Sequence, residues 1–360
     1  VFSEIESKVE TGRRVTPEEA VFLFNTERIH LLGRLAARVA ERLNGKRAYF
    51  VRNRHINPTN ICVNRCRFCA FSRSEGDEGA YELGIEEILD RIASSLPGLR
   101  EIHLVGGLHP GWGIEHYTEM LSAVKREFPG LHIKGFTAVE IDYIAGKSGL
   151  TVEETIRRLM EAGLDAMPGG GAEIFSASVR TRLCPEKITG ERWLEIHRVA
   201  HKMGLPTNAT MLYGHLETVE ERVEHLDRLR RLQDETGGFQ AFIPLSYHPD
   251  NTEIGGGVSS GIDDLRTIAV SRIFLDNFPH IKAYWIMLGE KLSQIALLFG
   301  ADDLEGTVIE EKITHSAGAK TSEGLNISQI VNLISRAGRI PVERDALYNE
   351  VSRYEVDGDG

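Results

Sequence analysis

Three of the four cysteines fall within eight residues, at Cys62, Cys66 and Cys69, in the run Asn60-Ile61-Cys62-Val63-Asn64-Arg65-Cys66-Arg67-Phe68-Cys69-Ala70-Phe71. A C-x3-C-x2-C loop offers three thiolates to three irons of a cubane and leaves the fourth iron open to bind a substrate. The same residues have two blander readings. A structural zinc site usually closes with a second pair of ligands, and no such pair follows. A closed electron-carrier cluster needs a fourth thiolate, for which Cys184, in Arg182-Leu183-Cys184-Pro185, is the sole candidate; in isolation it reads more simply as a buried apolar thiol. Arg65, Arg67 and Arg73 either tune a cluster's potential or are merely solvated. Four cysteines in 360 residues are too few for a disulfide framework, and their grouping suits a metal site in a reducing compartment.

Other residues with chemical potential recur just after apolar runs. Gly106-Gly107 precedes Leu108-His109-Pro110, and Met167-Pro168 leads into Gly169-Gly170-Gly171-Ala172-Glu173. Glycines at such points let backbone approach a ligand or a neighbouring strand. Glu173 is placed to accept hydrogen bonds from ribose hydroxyls, or is an ordinary acid of a first helical turn. Arg180 and Arg182 can clamp a carboxylate in bidentate fashion or pair at the surface.

Something must gather these groups. Eight short apolar runs alternate with amphipathic stretches: His55 to Val63, Glu101 to Gly106, His132 to Thr137, Asp165 to Gly169, Thr207 to Tyr213, Gln240 to Tyr247, Ile281 to Leu288 and Asp303 to Val308. That alternation predicts an α/β fold, a (β/α)8 TIM-like barrel with its site on the C-terminal rim of the strands, in preference to an open sheet. Thr16-Pro17-Glu18-Glu19, Thr151 to Glu154 and Thr218 to Glu221 match the helix capping box. The expected division is an N-terminal helical extension of two helices over 1–50, a barrel over 51–335 and a C-terminal tail packing on the barrel over 336–360. Gly255 to Gly261 reads as a flexible loop, a candidate flap.

The cysteine spacing, with an aromatic at Phe68 and a preceding strand, resembles the motif of the radical S-adenosylmethionine (SAM) superfamily. With His55-Ile56-Asn57-Pro58-Thr59-Asn60, Val105 to Pro110, Met167 to Phe175, Phe242 to Pro249 and Thr314 to Gly318, the chain resembles the group of futalosine-pathway menaquinone enzymes and deazaflavin (F420) synthases. The resemblance implies a barrel of the radical SAM type, a [4Fe-4S] cluster on Cys62, Cys66 and Cys69, and SAM as a co-substrate cleaved to a 5′-deoxyadenosyl radical. It implies a SAM site built from Phe68, Gly106, Gly107, Glu173, Arg180, Tyr213 and Gly214. The implied reaction is a transferase step in menaquinone biosynthesis: C5′ adds to the vinyl carbon of 3-[(1-carboxyvinyl)oxy]benzoate, and rearrangement gives 6-amino-6-deoxyfutalosine, methionine and bicarbonate. A small-molecule dicarboxylate needs anchors, for which His109, Arg180, His248, Thr314, His315 and Ser316 are candidates, within walls expected from Phe136, Phe242, Tyr247 and Trp285. A low-potential electron donor such as flavodoxin or ferredoxin is the implied partner. Alternatives are a cyclase of the same group acting on dehypoxanthine futalosine, an F420-type synthase, and a non-catalytic iron-sulfur electron carrier.

Lys and Arg number 42 against 53 Asp and Glu, a net charge of -11 that argues against nucleic-acid binding. No apolar run approaches the ~18 residues of a membrane span. The sequence does not open on a basic, apolar, small-residue leader, so a cytoplasmic location is expected. Replacing any one of Cys62, Cys66 or Cys69 by Ala is expected to abolish the reconstituted cluster, measured as iron and sulfide content. Cys184→Ala should retain a [4Fe-4S] signal that shifts on adding SAM.

Overall fold

Helix starts are set by side chains that close on the chain's own N–H groups. The Thr16 hydroxyl accepts from the Glu19 N–H, the Glu19 carboxylate accepts from the Thr16 N–H, and Pro17 fills the first turn. Thr218 and Glu221 repeat that box. Thr151 completes only half of one, because Glu154 turns instead to Arg157, 2.6 Å away. Thr137 with Glu140 and Asn326 with Gln329 close two further boxes that were not anticipated.

The computed structural model describes residues 1–95, 97–322 and 324–354. Its strands are β1 (Arg47–Val51), β2 (Asn53–Ile56), β3 (Glu101–Leu104), β4 (His132–Gly135), β5 (Thr207–Tyr213), β6 (Phe239–Ser246), β7 (His280–Ile281), β8 (Asp303–Gly306), β9 (Ile340–Arg344) and β10 (Glu350–Arg353). β1 and β2 are two halves of one extended run broken at Arg52. All pairings round the ring are parallel: His55↔His103, His103↔Lys134, Lys134↔Ala166, Met167↔Thr207, β5 with β6, Phe242↔Ile281, Lys282↔Asp303, and closure through Val51↔Gly306 and Arg54↔Ile309. The expected (β/α)8 barrel is therefore closed, with the fourth position reduced to single bridges at Ala166 and Met167 before Pro168 removes a donor.

Several boundaries differ from expectation for local reasons. The first run starts earlier, at Arg47, inside the stretch expected to be helical, and ends at Ile56 rather than Val63. Beyond Ile56, Pro58 cannot donate, and polar side chains take over the backbone groups: Asn57 Nδ2 donates to Val105 O and Thr59 Oγ1 to Tyr81 O, both at 2.7 Å. The seventh run yields a two-residue strand and then a helix, Trp285–Leu288. Residues 1–50 hold three helices, Phe2–Glu10, Pro17–Phe24 and Ile29–Asn44, not two. They brace the outer helices Val219–Thr236 and Gly261–Phe274, and none of their residues lines the central cavity.

The expected tail is a sheet extension. β9 runs parallel to β1 (Ala48↔Pro341) and β10 returns antiparallel; residues 355–360 of that stretch lie outside the described residues. Arg344 explains the attachment. Its Nε donates to Asp303 Oδ2 at 2.8 Å, both groups are fully buried, and the guanidinium lies 4.1 Å from the Tyr348 ring centroid. Arg344→Ala leaves Asp303 as an unpaired buried charge. Urea unfolding is expected to show a loss of about 3–5 kcal/mol, and Arg344→Ala with Asp303→Asn together should recover part of it.

Candidate active site

The loop after β2 has no regular secondary structure, yet its backbone is tied at every turn. Cys62 N–H donates to Arg73 O, Val63 N–H to Leu108 O and Arg67 N–H to Leu183 O, all at 3.0 Å, and Cys69 N–H donates to Cys66 O at 2.9 Å. Asn60 holds the returning chain, accepting from the Tyr81 N–H at 2.8 Å and donating to Gly79 O at 2.9 Å. All four cysteines are free thiols. Burial pushes the Cys66 thiol up to about 12 and raises Cys62 as well, so an uncompensated thiolate is disfavoured there.

Cys62, Cys66 and Cys69 face one cavity of about 320 Å³ inside the C-terminal end of the barrel. Gly106, Gly107, Gly169, Gly170 and Gly171 line it too, but their smallness serves the protein's own packing. A Cβ on Gly107 would stand 2.2 Å from Ile61 O, and one on Gly169 would stand 2.7 Å from the Ala209 carbonyl carbon. The first glycine pair thus lets the cysteine loop dock on the end of β3, and the triplet lets the fourth turn dock on β5. Beyond the triplet, Glu173 sits at φ +44°, an uncommon conformation for a non-glycine residue. Its carboxylate pairs with Lys187 Nζ at 2.5 Å, and that ammonium lies 4.8 Å from the Phe68 ring centroid. Both Glu173 and Lys187 line the cavity.

Residues 56–229 match the radical SAM superfamily, and residues 236–355 match the CofH/MqnC C-terminal region. Aminodeoxyfutalosine synthase of Thermus thermophilus is 49% identical over 98% of this chain and 96% of its own length. The chain belongs to the radical SAM superfamily. Other relatives include a 5-amino-6-(D-ribitylamino)uracil–L-tyrosine 4-hydroxyphenyl transferase of Methanopyrus kandleri, 45% identical over 86% of both chains. Cyclic dehypoxanthine futalosine synthase of Streptomyces coelicolor is 41% identical over 96% of this chain and 88% of its own. Methylornithine synthase, at 19% identity and TM-score 0.75 over 94% of this chain and 97% of its own, shares the fold.

A radical SAM enzyme uses a [4Fe-4S] cluster and SAM, and the thiols here suit a cluster better than a single ion. Among the described residues, the one group of at least three His, Cys, Asp or Glu ligand atoms within 4.8 Å of one another is His55, His103 and Glu305. The three thiols face one cavity, and among the described residues no second pair of cysteines stands by to close a zinc site. Three thiolates on one short loop can each bind a separate iron of a cubane. Membership of an enzyme superfamily also displaces the electron-carrier alternative.

The structure divides the other candidate residues. Phe68, Gly106, Gly107, Glu173, His248 and Thr314 line the cavity with the cysteines, and so does the expected wall Tyr247. Arg180 does not reach it. Its buried guanidinium donates to Ala172 O at 2.6 Å and Ile174 O at 3.2 Å, with Gly171 O and Ile188 O completing the set, so it holds the Glu173 turn in shape. Tyr213 points away and donates to Asp264 at 2.8 Å, while Gly214 turns at φ +87° and donates to Glu217. His109 is stacked on Trp112 and sits 3.0 Å from Glu82, outside the cavity. His315, raised to about 9 by its hydrogen bond with Glu311, lies with Ser316 in a separate outer pocket. Phe136, Phe242 and Trp285 belong to the packed core; the apolar walls are Val105, Leu212, Ile243, Leu245 and Met287. The Gly255 segment reaches the cysteine loop through the Glu253 N–H to Arg67 O bond, 2.8 Å, and Ile254 packs on Cys66 and Cys184.

Sequence reasoning missed Lys187 and Glu140. Lys187 follows Cys184 by three residues, with nothing in its local pattern to mark it. Glu140 was legible as the fourth residue of Thr137-Ala138-Val139-Glu140, a capping box. It accepts from the Thr137 N–H and hydroxyl and from the Gly106 N–H, so it ties the glycine pair to the next helix. Burial nevertheless pushes its carboxyl up to about 7. The native state then keeps a proton that the unfolded chain sheds near pH ~4.3, so this contribution is whole below that pH and lost as pH rises through about 7. Glu140→Gln preserves the cap and removes the titration. Stability of the unsubstituted protein relative to this variant is expected to fall on the order of 3 kcal/mol between pH ~4.5 and ~7.5, by urea unfolding. Parallel pH profiles would reject the assignment.

Proposed function

We propose that this radical SAM enzyme is an aminodeoxyfutalosine synthase that joins the adenosyl C5′ of SAM to 3-[(1-carboxyvinyl)oxy]benzoate. The identity of 49% across 98% of the chain to the Thermus thermophilus enzyme carries the reading. When bound, the cluster and SAM supply a 5′-deoxyadenosyl radical. The net reaction adds one water, because the carboxyl that leaves departs as bicarbonate.

The chain's own residues give such a reaction its conditions. Val105, Leu212, Ile243, Leu245 and Met287 make an apolar wall that limits water around the reacting groups. Glu173 offers acceptors for ribose hydroxyls, with Lys187 fixing its carboxylate, and Gly106 and Gly107 offer backbone to the amino-acid end of SAM. Arg180 is a positioning residue for that turn rather than an anion clamp. His248 and Thr314 remain as anchors near the rim for a substrate carboxylate. Exposed Arg65 and Arg67 beside Cys66 give an acidic, low-potential flavodoxin or ferredoxin a positive face to meet. Among the described residues no helix is long and apolar enough to cross a membrane; a cytoplasmic location fits the proposed pathway.

The test is anaerobic turnover of the reconstituted protein with SAM, a reductant and the vinyl-ether benzoate, followed by mass analysis. Methionine and an adenosyl adduct in equal amounts are expected. Free 5′-deoxyadenosine formed stoichiometrically with substrate consumption would reject the synthase.

A further inference from the structure

The deeper half of the cavity contains polar atoms that the fold leaves unsatisfied. Asn208, on β5, is 1% exposed, and neither its amide nitrogen nor its amide oxygen has a partner. His55, on β2, has an unpartnered buried Nε2, and Asn57 has an unpartnered Oδ1. All three side chains line the cavity that the cysteines face. Buried carboxamides and imidazoles almost always find partners within a native fold. Asn208 and His55 are strand residues below the rim loops, and Asn57 follows directly on β2.

The groups behind them define what the floor can accept. His103 Nε2 is 2.9 Å from Glu101 Oε1, and Glu101 Oε2 receives Lys134 Nζ at 2.9 Å. Glu305 Oε2 receives Lys282 Nζ at 2.6 Å, and its other oxygen accepts from Asn53 Nδ2 at 3.3 Å. Each carboxylate is thus matched by an ammonium. The His55 ring stacks on His103 at 4.5 Å between centroids, and burial, then the neighbouring His103, drives it down to about 3, so it is neutral. A divalent ion at His55, His103 and Glu305 is disfavoured, because Lys282 already occupies Glu305 and Glu101 already occupies His103 Nε2. What remains open on this charge-balanced floor is an amide NH2 (Asn208 Nδ2), two amide oxygens (Asn208 Oδ1, Asn57 Oδ1) and an imidazole nitrogen that can carry a hydrogen (His55 Nε2), so the two nitrogens can seat an anion that needs hydrogen bonds more than a counter-ion.

We propose that Asn208 and His55 form the seat for an aryl carboxylate, the Asn208 Nδ2–H and a His55 Nε2–H both donating to it. The identity of that group as the substrate's ring carboxylate rests on the proposed function. The vinyl carbon must react at the rim, beside the cysteine loop, so the carboxylate meta to the ether oxygen points down the barrel. It is also the carboxylate that the reaction retains, so a fixed seat can hold the ring from binding to product.

The test uses the holoprotein with cluster and SAM, and 3-methoxybenzoate as the probe, with methoxybenzene as its uncharged partner, by calorimetric titration. The expected result is binding of 3-methoxybenzoate that weakens at least tenfold in Asn208→Leu and in His55→Phe, with any methoxybenzene binding unchanged. The SAM-induced change in the electron paramagnetic resonance of the reduced cluster should be the same in all three proteins, showing that the rim is intact. Asn208→Asp, nearly isosteric and repulsive to an anion, makes the same test if the leucine variant does not fold. Variants that bind 3-methoxybenzoate as well as the parent overturn the seat, as does a parent that prefers it no more than methoxybenzene, the outcome for a floor that only holds water. A protein that binds 3-methoxybenzoate through Asn208 yet leaves the vinyl ether unconverted keeps the seat and loses the proposed function.

Discussion

The site depends on one close approach: the backbone of the cysteine loop lies against the backbone at Gly106 and Gly107. A single added carbon at Gly107 would stand 2.2 Å from Ile61 O, a separation that no side chain can adjust. Three thiols on an irregular loop have no sheet or helix to hold them, so their positions come from this contact and from hydrogen bonds by Asn57, Thr59 and Asn60. Ligand spacing is then a property of the fold, which is how pre-organised sites keep their geometry.

A second constraint acts inside the barrel. Most parallel barrels fill the interior with branched apolar side chains, whereas this one places Glu101, Lys134, Lys282, Asp303, Glu305 and Arg344 there, all buried and all in ion pairs. Such a core costs desolvation that well-packed apolar residues avoid. It yields a polar, rigid support beneath the catalytic cavity. Above it the walls turn apolar, so the two ends of the cavity differ in chemistry: hydrogen-bonding at the bottom, dry at the sides.

How much of this was legible varied with the kind of signal. The cysteine loop, the eight-fold alternation and the helix caps at Thr16 and Thr218 are local patterns, and they translate directly into structure. β5 was bounded to the residue, because Thr207 to Tyr213 is an uninterrupted buried run. β1 and β9 were not seen, since they pair with each other from opposite ends of the chain, and β10, though it returns directly on β9, is exposed along its length and gives no strand signal alone. Arginines and histidines misled most. Arg180, His109 and His315 have the chemistry of anion binders, but their partners are carbonyls or acids of the protein itself, which no spacing rule reveals. Lys187 and Asn208 became visible only when separate strands and turns brought them to the same cavity.

The strand pairings also set the order of events in folding. β1 lies between β8 and β9, joined through Val51↔Gly306 and Ala48↔Pro341, so the first strand gains its neighbours from the last part of the chain. On the ribosome its two edges therefore stay open until nearly the whole polypeptide has emerged, and contacts of such long sequence separation form slowly. Asp303 has no counter-charge until Arg344 arrives. The cysteine loop is made early but its housing is finished late, which leaves an interval in biosynthesis when the thiols are open to solvent, to oxidants and to whatever machinery delivers iron and sulfide.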